Sequence, residues 1–239
     1  MFGFKRKHNL IKSGILEGKV DIHSHVLPGV DDGSQSVQQS LELLHYMEHV
    51  MKYSEVWLTP HVMQDFDNSS TNLDIKFQEF KKEYKGTLTI HLASEYMLDS
   101  GFEFRLNNNP LLLGNEHLLV ETSYMNPPNG MHDILLRIWR KGLRPLIAHP
   151  ERYMYMTEDD YDELKELGYE FQLNLMSLSG YYGRRPKYMA EWLLEEKMYN
   201  YVGSDLHHLE RYQDYLEHMN LTSEQLSEIE KLLENNSEI

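Results

Sequence analysis

Residues 20–33 read VDIHSHVLPGVDDG. Val20 and Ile22 are β-prone, and His23 and His25 stand at alternate positions before Pro28, Gly29, Asp31, Asp32 and Gly33 turn the run into a loop. Side chains two apart on a strand share a face. Both imidazoles are therefore expected to leave the C-terminal end of a strand in one direction, with two carboxylates close behind. Imidazole and carboxylate are first-choice ligands of divalent cations. Taken alone, the stretch reads equally well as a pair of satisfied histidines beside an Asx turn, and the rest of the chain has to decide.

The 239 residues suit one large α/β domain over residues 1–239, of which 41% are hydrophobic and 26% charged. No apolar run approaches the roughly 20 residues of a membrane span. The basic lead-in, residues 1–19, lacks the unbroken apolar segment and cleavage site of a secretory signal. A cytoplasmic protein is expected, with that lead-in solvated or docked on an acidic lipid or partner. A net charge of −15 argues against general nucleic-acid binding. The absence of cysteine removes disulfides, thiolate zinc sites and every thiolate nucleophile.

Outward from the opening stretch, β-prone and helix-like segments alternate in the rhythm of a parallel sheet or barrel. Residues 34–52 are expected to be a helix, capped by Ser36 and facing the core through Leu41, Leu44, Met47 and Met51. Strand-like runs follow at EVWLTPH, TLTIHLASEYML, HLLVETSY, RPLIAHPERY, YEFQLNLMSL and YNYVGSDLHH. Between them lie helices carrying Phe77, Phe80 and Tyr84, then Ile134, Leu135 and Ile138, then Trp192 and Leu193. Thr157 with Asp160, and Thr222 with Gln225, have the spacing of capping boxes. A closing amphipathic helix carries Leu226, Ile229, Leu232 and Leu233.

In chain order the strand ends carry His23 and His25, His61, Glu95, Glu121, His149, Asn174, and Asp205 with His207. In parallel barrels and sheets, active sites gather at the C-terminal strand ends. A glutamate behind an apolar run, such as Glu95 or Glu121, is seldom buried unless paired or bound to metal. One catalytic zinc takes about three protein ligands, so this many points to a multinuclear site.

DIHSHVLPGVDDG, the TPH at residues 59–61, AHPERY and SDLHH resemble the polymerase and histidinol phosphatase (PHP) superfamily. Within it they resemble the branch of metal-dependent bacterial tyrosine-protein phosphatases tied to capsular and exopolysaccharide synthesis. The resemblance runs from Val20 to about Tyr212. It implies an α/β fold that is a distorted TIM-like barrel of about seven βα units, and three divalent metal ions, manganese first, with iron or zinc as alternatives. Carried over motif by motif, the ligands would be His23, His25, Asp32, His61, Glu95, Glu121, His149, Asp205 and His207. Arg152 would bind substrate phosphate, helped by Arg211; His207 or His61, where not fully committed to metal, could donate a proton to the leaving group. His208 departs from the asparagine often found there, and the choice between Asp31 and Asp32 stays open. The implied partner is a phosphotyrosyl protein, a bacterial tyrosine kinase of polysaccharide export.

Physical chemistry supports this reading. Clustered cations lower the pKa of a bridging water and neutralise phosphoryl oxygens, and a phenolate of pKa about 10 leaves more readily than an alkoxide. No DxDxT or RHG nucleophile motif is present. The alternatives are a histidinol-phosphate phosphatase, an amidohydrolase with one or two metals, and an inactive metal-binding scaffold. Aromatic and basic residues are expected to rim the strand ends and stack a tyrosine ring: Phe66, Tyr124, Tyr153, Tyr155, Tyr181, Tyr182, Arg184 and Arg185.

Overall fold

The computed structural model describes residues 6–239; residues 1–5, the first part of the basic lead-in, lie outside the described residues. The strands, in chain order, are β1 (Lys7–Asn9), β2 (Val20–Asp21), β3 (Glu55–Leu58), β4 (His61–Val62), β5 (Thr89–Leu92) and β6 (Glu95–Met97). They continue with β7 (His117–Glu121), β8 (Arg144–Ala148), β9 (Glu170–Asn174), β10 (Tyr201–Gly203) and β11 (Asn220–Thr222). A six-stranded parallel sheet runs in the order β10-β9-β8-β7-β6-β4, and a three-stranded one in the order β2-β3-β5.

Two runs expected as single strands are broken in the middle. Pro60 has no N–H to give to a ladder, and the chain changes sheet there, β3 ending at Leu58 and β4 starting at His61. Its neighbour breaks at the same level, between Leu92 and Glu95. Hydrogen bonds bridge the break, Ala93 N to Leu58 O at 2.9 Å and Glu95 N to Pro60 O at 3.2 Å. At the far edges Ser24 bridges Leu206, and Asp205 N donates to His23 O at 2.8 Å. The result is a mixed α/β fold around a curled parallel sheet.

Most helices sit where the sequence places them. They are α1 (Leu10–Ser13), α2 (Val37–Tyr46), α3 (Ser70–Glu83), α4 (Phe102–Leu106), α5 (Met131–Arg140), α6 (Glu158–Glu166), α7 (Arg184–Glu195), α8 (Glu210–Glu217) and α9 (Ser223–Asn236). Ser36 caps α2 by accepting from Gln39 N, and both anticipated capping boxes form, at Thr157 and Thr222. α2 runs on into a π-helical turn over Met47–Met51, so the helix expected over 34–52 begins later and changes pitch. α1, α4 and α8 were not anticipated from the sequence. Residues 7–16 are no solvated lead-in: β1 pairs antiparallel with β11, and Leu10 and Leu16 are buried.

Ile22, Ala93, Leu119, Leu146 and Ala148 form a small apolar cluster separate from the main core. The period of two puts Glu121 on the same strand face as Leu119, so this cluster underlies the strand-end side chains. No helix among the described residues is long and apolar enough to cross a membrane.

Candidate metal centre

β2 ends at Asp21, so His23 and His25 stand just beyond regular strand, held by backbone bonds to the segment after β10. Asp21 ties the two together, accepting from Ser204 N at 2.8 Å and Ser204 Oγ at 2.6 Å. Burial pushes its carboxyl up to about 6, against those hydrogen bonds. Gly33 has no room for a side chain, since a Cβ there would strike the His25 carbonyl.

The strand-end residues converge. His23 Nε2 lies 3.3 Å from Glu95 Oε2 and 3.4 Å from Asp205 Oδ1. His25 Nε2 lies 3.4 and 3.3 Å from the same two oxygens. His61 Nδ1 faces Glu95 Oε2 at 3.1 Å and Glu121 Oε1 at 3.0 Å, and its Nε2 faces Asp32 Oδ1 at 3.4 Å. His149 Nε2 lies 2.9 Å from Glu95 Oε1, and His207 Nε2 lies 3.4 Å from Asp32 Oδ1. Three groups have donor atoms close enough to share an ion: His25, Asp32, His61 and His207; His23, His25 and Glu95; His61, Glu95 and Glu121. His25, His61 and Glu95 each belong to two of them. His149 and Asp205 flank these groups.

The two aspartates divide the work. Asp31 is buried and accepts from His25 Nδ1 at 2.9 Å and His61 N at 3.0 Å, while the exposed Asp32 turns its Oδ1 toward His61 and His207. Gln172 Oε1 accepts from His23 Nδ1 at 2.9 Å. Such a bond fixes the tautomer and leaves Nε2 as the free donor. The sequence placed Gln172 and Asn174 on one face without giving either a task.

His149 and Asp205 both have positive φ, 35° and 50°. The left-handed region is costly for residues other than glycine and concentrates at functional sites. The bend at His149 starts a 3-10 turn over Pro150–Arg152. Buried Glu151 anchors that turn, accepting from Asn174 N at 3.0 Å, Ser177 Oγ at 2.7 Å and Tyr199 OH at 2.9 Å. Arg152 is thereby aimed at the cluster.

The electrostatics are those of carboxylates and imidazoles crowded together out of water. Burial opposes charge on Glu95 and on Asp205, yet the histidines around them, with Arg152 for Asp205, hold both carboxyls well below the usual range. At His61 burial and His25 disfavour protonation, but Glu121 and Glu95 prevail and raise it to about 10. A hydrogen bond from His207 holds Asp32 low. A cation would take the place of the protons these groups share. Glu95 Oε2, His61 Nδ1 and His149 Nδ1 are buried and make no well-aligned hydrogen bond, though the first two lie 3.1 Å apart, in a structure whose buried polar atoms are otherwise largely satisfied. These atoms and the all-nitrogen-and-oxygen donor set fit divalent metal ions.

A cavity of about 280 Å³ opens over the cluster, lined by His149, Arg152, Tyr182, Asp205 and His207 among others. Arg211 is not part of it; it lies over Tyr181 and Tyr215 and lines an adjoining groove with His207 and His208. Of the expected aromatic rim, Tyr153 is fully buried, its hydroxyl donating to Ala148 O at 2.8 Å. Tyr155 bonds Thr122 Oγ1, and Arg185 donates to the carbonyls of Met154 and Met156.

The fold and site together define an α/β protein whose strand ends gather histidine and carboxylate groups that could hold metal. Residues 19–237 match the family described as capsular polysaccharide synthesis, CpsB/CapC, and the chain belongs to that family. It is 30% identical over 213 residues to the tyrosine-protein phosphatase CpsB of Streptococcus pneumoniae, covering 83% of this chain and 86% of that protein. It is 27% identical over 198 residues to the tyrosine-protein phosphatase YwqE of Bacillus subtilis, covering 80% and 78%. A solved structure from work on YwqE and CpsB, described as unique metal-dependent tyrosine phosphatases, superposes with a TM-score of 0.74 at 26% identity. That match covers 90% of this chain and 94% of the other.

Proposed function

We propose that this chain is a metal-dependent protein-tyrosine phosphatase, acting in the cytoplasm on a phosphotyrosyl protein, a tyrosine kinase of polysaccharide synthesis or export. The observation that carries this reading is the set of three overlapping ligand groups sharing His25, His61 and Glu95, with Arg152 in the cavity above them. The names of the relatives support the same activity.

His23, His25, Asp32, His61, Glu95, Glu121, His149, Asp205 and His207 would hold three divalent ions, manganese first, with iron or zinc as alternatives. Bound divalent cations would make water acidic enough to attack near neutral pH and would neutralise phosphoryl charge. The chain's own residues do the rest. Arg152 grips phosphate oxygens through its planar fork. A leaving group of pKa about 10 needs little help from a general acid, and His207 or His61, where it is not committed to metal, supplies the proton to the departing tyrosine oxygen. Arg211, from the adjoining groove, meets the substrate beside the phosphate.

The test is a parallel assay of metal-loaded protein on phosphotyrosyl peptides, phosphoseryl peptides and histidinol phosphate. Preference for phosphotyrosine is expected. A strong preference for histidinol phosphate would overturn the tyrosine assignment, and inactivity with manganese, iron and zinc alike would leave a metal-binding scaffold.

A further inference from the structure

Two cavities meet at the metal centre, and their chemistry differs. The cavity of about 280 Å³ lies over the ends of β8, β9 and β10 and holds Arg152. A second, of about 600 Å³, lies over the ends of β4, β6 and β7 and is lined by Met63, Phe66, Met97 and Tyr124. Asp32, His61 and Tyr124 belong to both. Among the described residues no lysine or arginine lines the larger cavity; its carboxylates are Asp32, Asp65, Asp99 and Glu121, with the His61 imidazole beside them. One of these carboxylates, Asp99, is already engaged by Arg105 and by Gln64 N.

We propose that the larger cavity is the leaving-group subsite, in which Phe66, Met63 and Met97 receive the aromatic ring of phosphotyrosine while the phosphate enters the smaller cavity beside Arg152. This assignment rests on the phosphatase reading above and adds a direction to it. Both cavities carry carboxylates, Asp32 and Asp205 in the smaller and Asp32, Asp65, Asp99 and Glu121 in the larger, but only the smaller carries a guanidinium, to which a phosphate dianion is drawn. A neutral ring goes where apolar and polarisable side chains await it. The Phe66 ring lies parallel to that of His61, 6° apart in plane, with centroids separated by 6.1 Å. That spacing is too small to admit a third ring between two stacked at van der Waals distance. The tyrosine ring therefore packs against the part of Phe66 that faces the cavity. Phe66 is then a specificity determinant, selecting aryl over alkyl esters.

The experiment compares wild type, Phe66→Ala and Phe66→Leu, each metal-loaded, for inhibition by benzylphosphonate and by inorganic phosphate. Phe66→Ala is expected to weaken benzylphosphonate about tenfold and to leave inorganic phosphate within about twofold, with Phe66→Leu in between. Equal weakening of both inhibitors, or no weakening of benzylphosphonate, would overturn the assignment. Circular dichroism and metal content of the variants separate a lost subsite from a lost fold. If wild type hydrolyses phosphotyrosyl peptides while Phe66→Ala binds benzylphosphonate normally, the direction fails and the phosphatase reading stands. If metal-loaded wild type hydrolyses no phosphotyrosyl peptide, both fail.

Discussion

Arg152 donates from Nη1 to Asp205 Oδ2 at 2.8 Å, while Asp205 Oδ1 lies 3.4 Å from His23 Nε2 and 3.3 Å from His25 Nε2. One carboxylate thus faces the candidate ligands with one oxygen and holds the candidate phosphate-binding residue with the other. Asn174 Nδ2 at 2.7 Å and Tyr182 OH at 3.3 Å donate to that same Oδ2. The guanidinium is also packed against two rings, 4.3 Å from the centre of Tyr124 and 4.1 Å from that of Tyr182. Arg152 is preorganised, with its geometry set before substrate arrives.

Replacement of Arg152 by lysine is therefore expected to be costly. Lysine keeps the charge but has neither the fork nor the flat face that stacks between Tyr124 and Tyr182. Arg152→Lys should lower kcat/KM for phosphotyrosyl peptides by about tenfold to hundredfold, with metal content unchanged. Steady-state kinetics with metal analysis checks this, and unchanged efficiency would reassign Arg152 to a structural ion pair with Asp205.

Tyr182 separates two contributions. Tyr182→Phe removes a hydroxyl that donates to Asp205 and accepts from Asn174 but keeps the stacked ring. Tyr182→Ala removes both. The phenylalanine variant should lose a few-fold in kcat/KM and the alanine variant about tenfold more. Equal losses would mean that the ring contributes nothing to holding Arg152.

Removing metal should abolish activity reversibly. Chelation is expected to depress turnover by about a thousandfold or more, with recovery on adding manganese. His23→Ala or Asp205→Asn should show the same loss without recovery, while far-ultraviolet circular dichroism stays native. Full activity in a thoroughly chelated sample would sink the metal assignment. Wild type should also gain thermal stability with added manganese, and Glu95→Gln should gain less, because ligand binding stabilises only the state that binds.

Gln172 offers a test of support from behind the ligands. Its Oε1 accepts from His23 Nδ1 without itself facing the cluster. Gln172→Leu should weaken metal binding about tenfold to hundredfold, read by titration calorimetry. An unchanged affinity would mean that packing alone orients His23.

Asn236 is a purely structural case. Its buried side chain donates to Val20 O at 2.8 Å and Val202 O at 2.7 Å and accepts from Val202 N at 3.2 Å, pinning α9 to β2 and β10. Asn236→Ala leaves those backbone groups unpaired, and a loss of about 2–4 kcal/mol is expected by urea unfolding of the metal-free protein.

Local chemistry was legible in the sequence because its partners are close along the chain. The Ser36 cap and the boxes at Thr157 and Thr222 lie within one turn of their partners, and the helical spacing of Leu44, Met47 and Met51 predicted their burial. The residues that converge at the strand ends could be read because parallel topology sends successive strand ends to one side. What lay beyond the sequence depends on contacts between distant residues. Pro60 signals a break, but only the neighbouring strand breaking at Ala93 and Ser94 splits the sheet in two. Asp31 and Asp32 are chemically identical; packing against the His61 amide, 30 positions away, buries the first and turns the second toward His207. The same holds for Arg152, whose motif identifies it but whose aim depends on Asp205, Asn174, Tyr124 and Tyr182. Those residues come from three other strand ends, and only the folded chain brings them together.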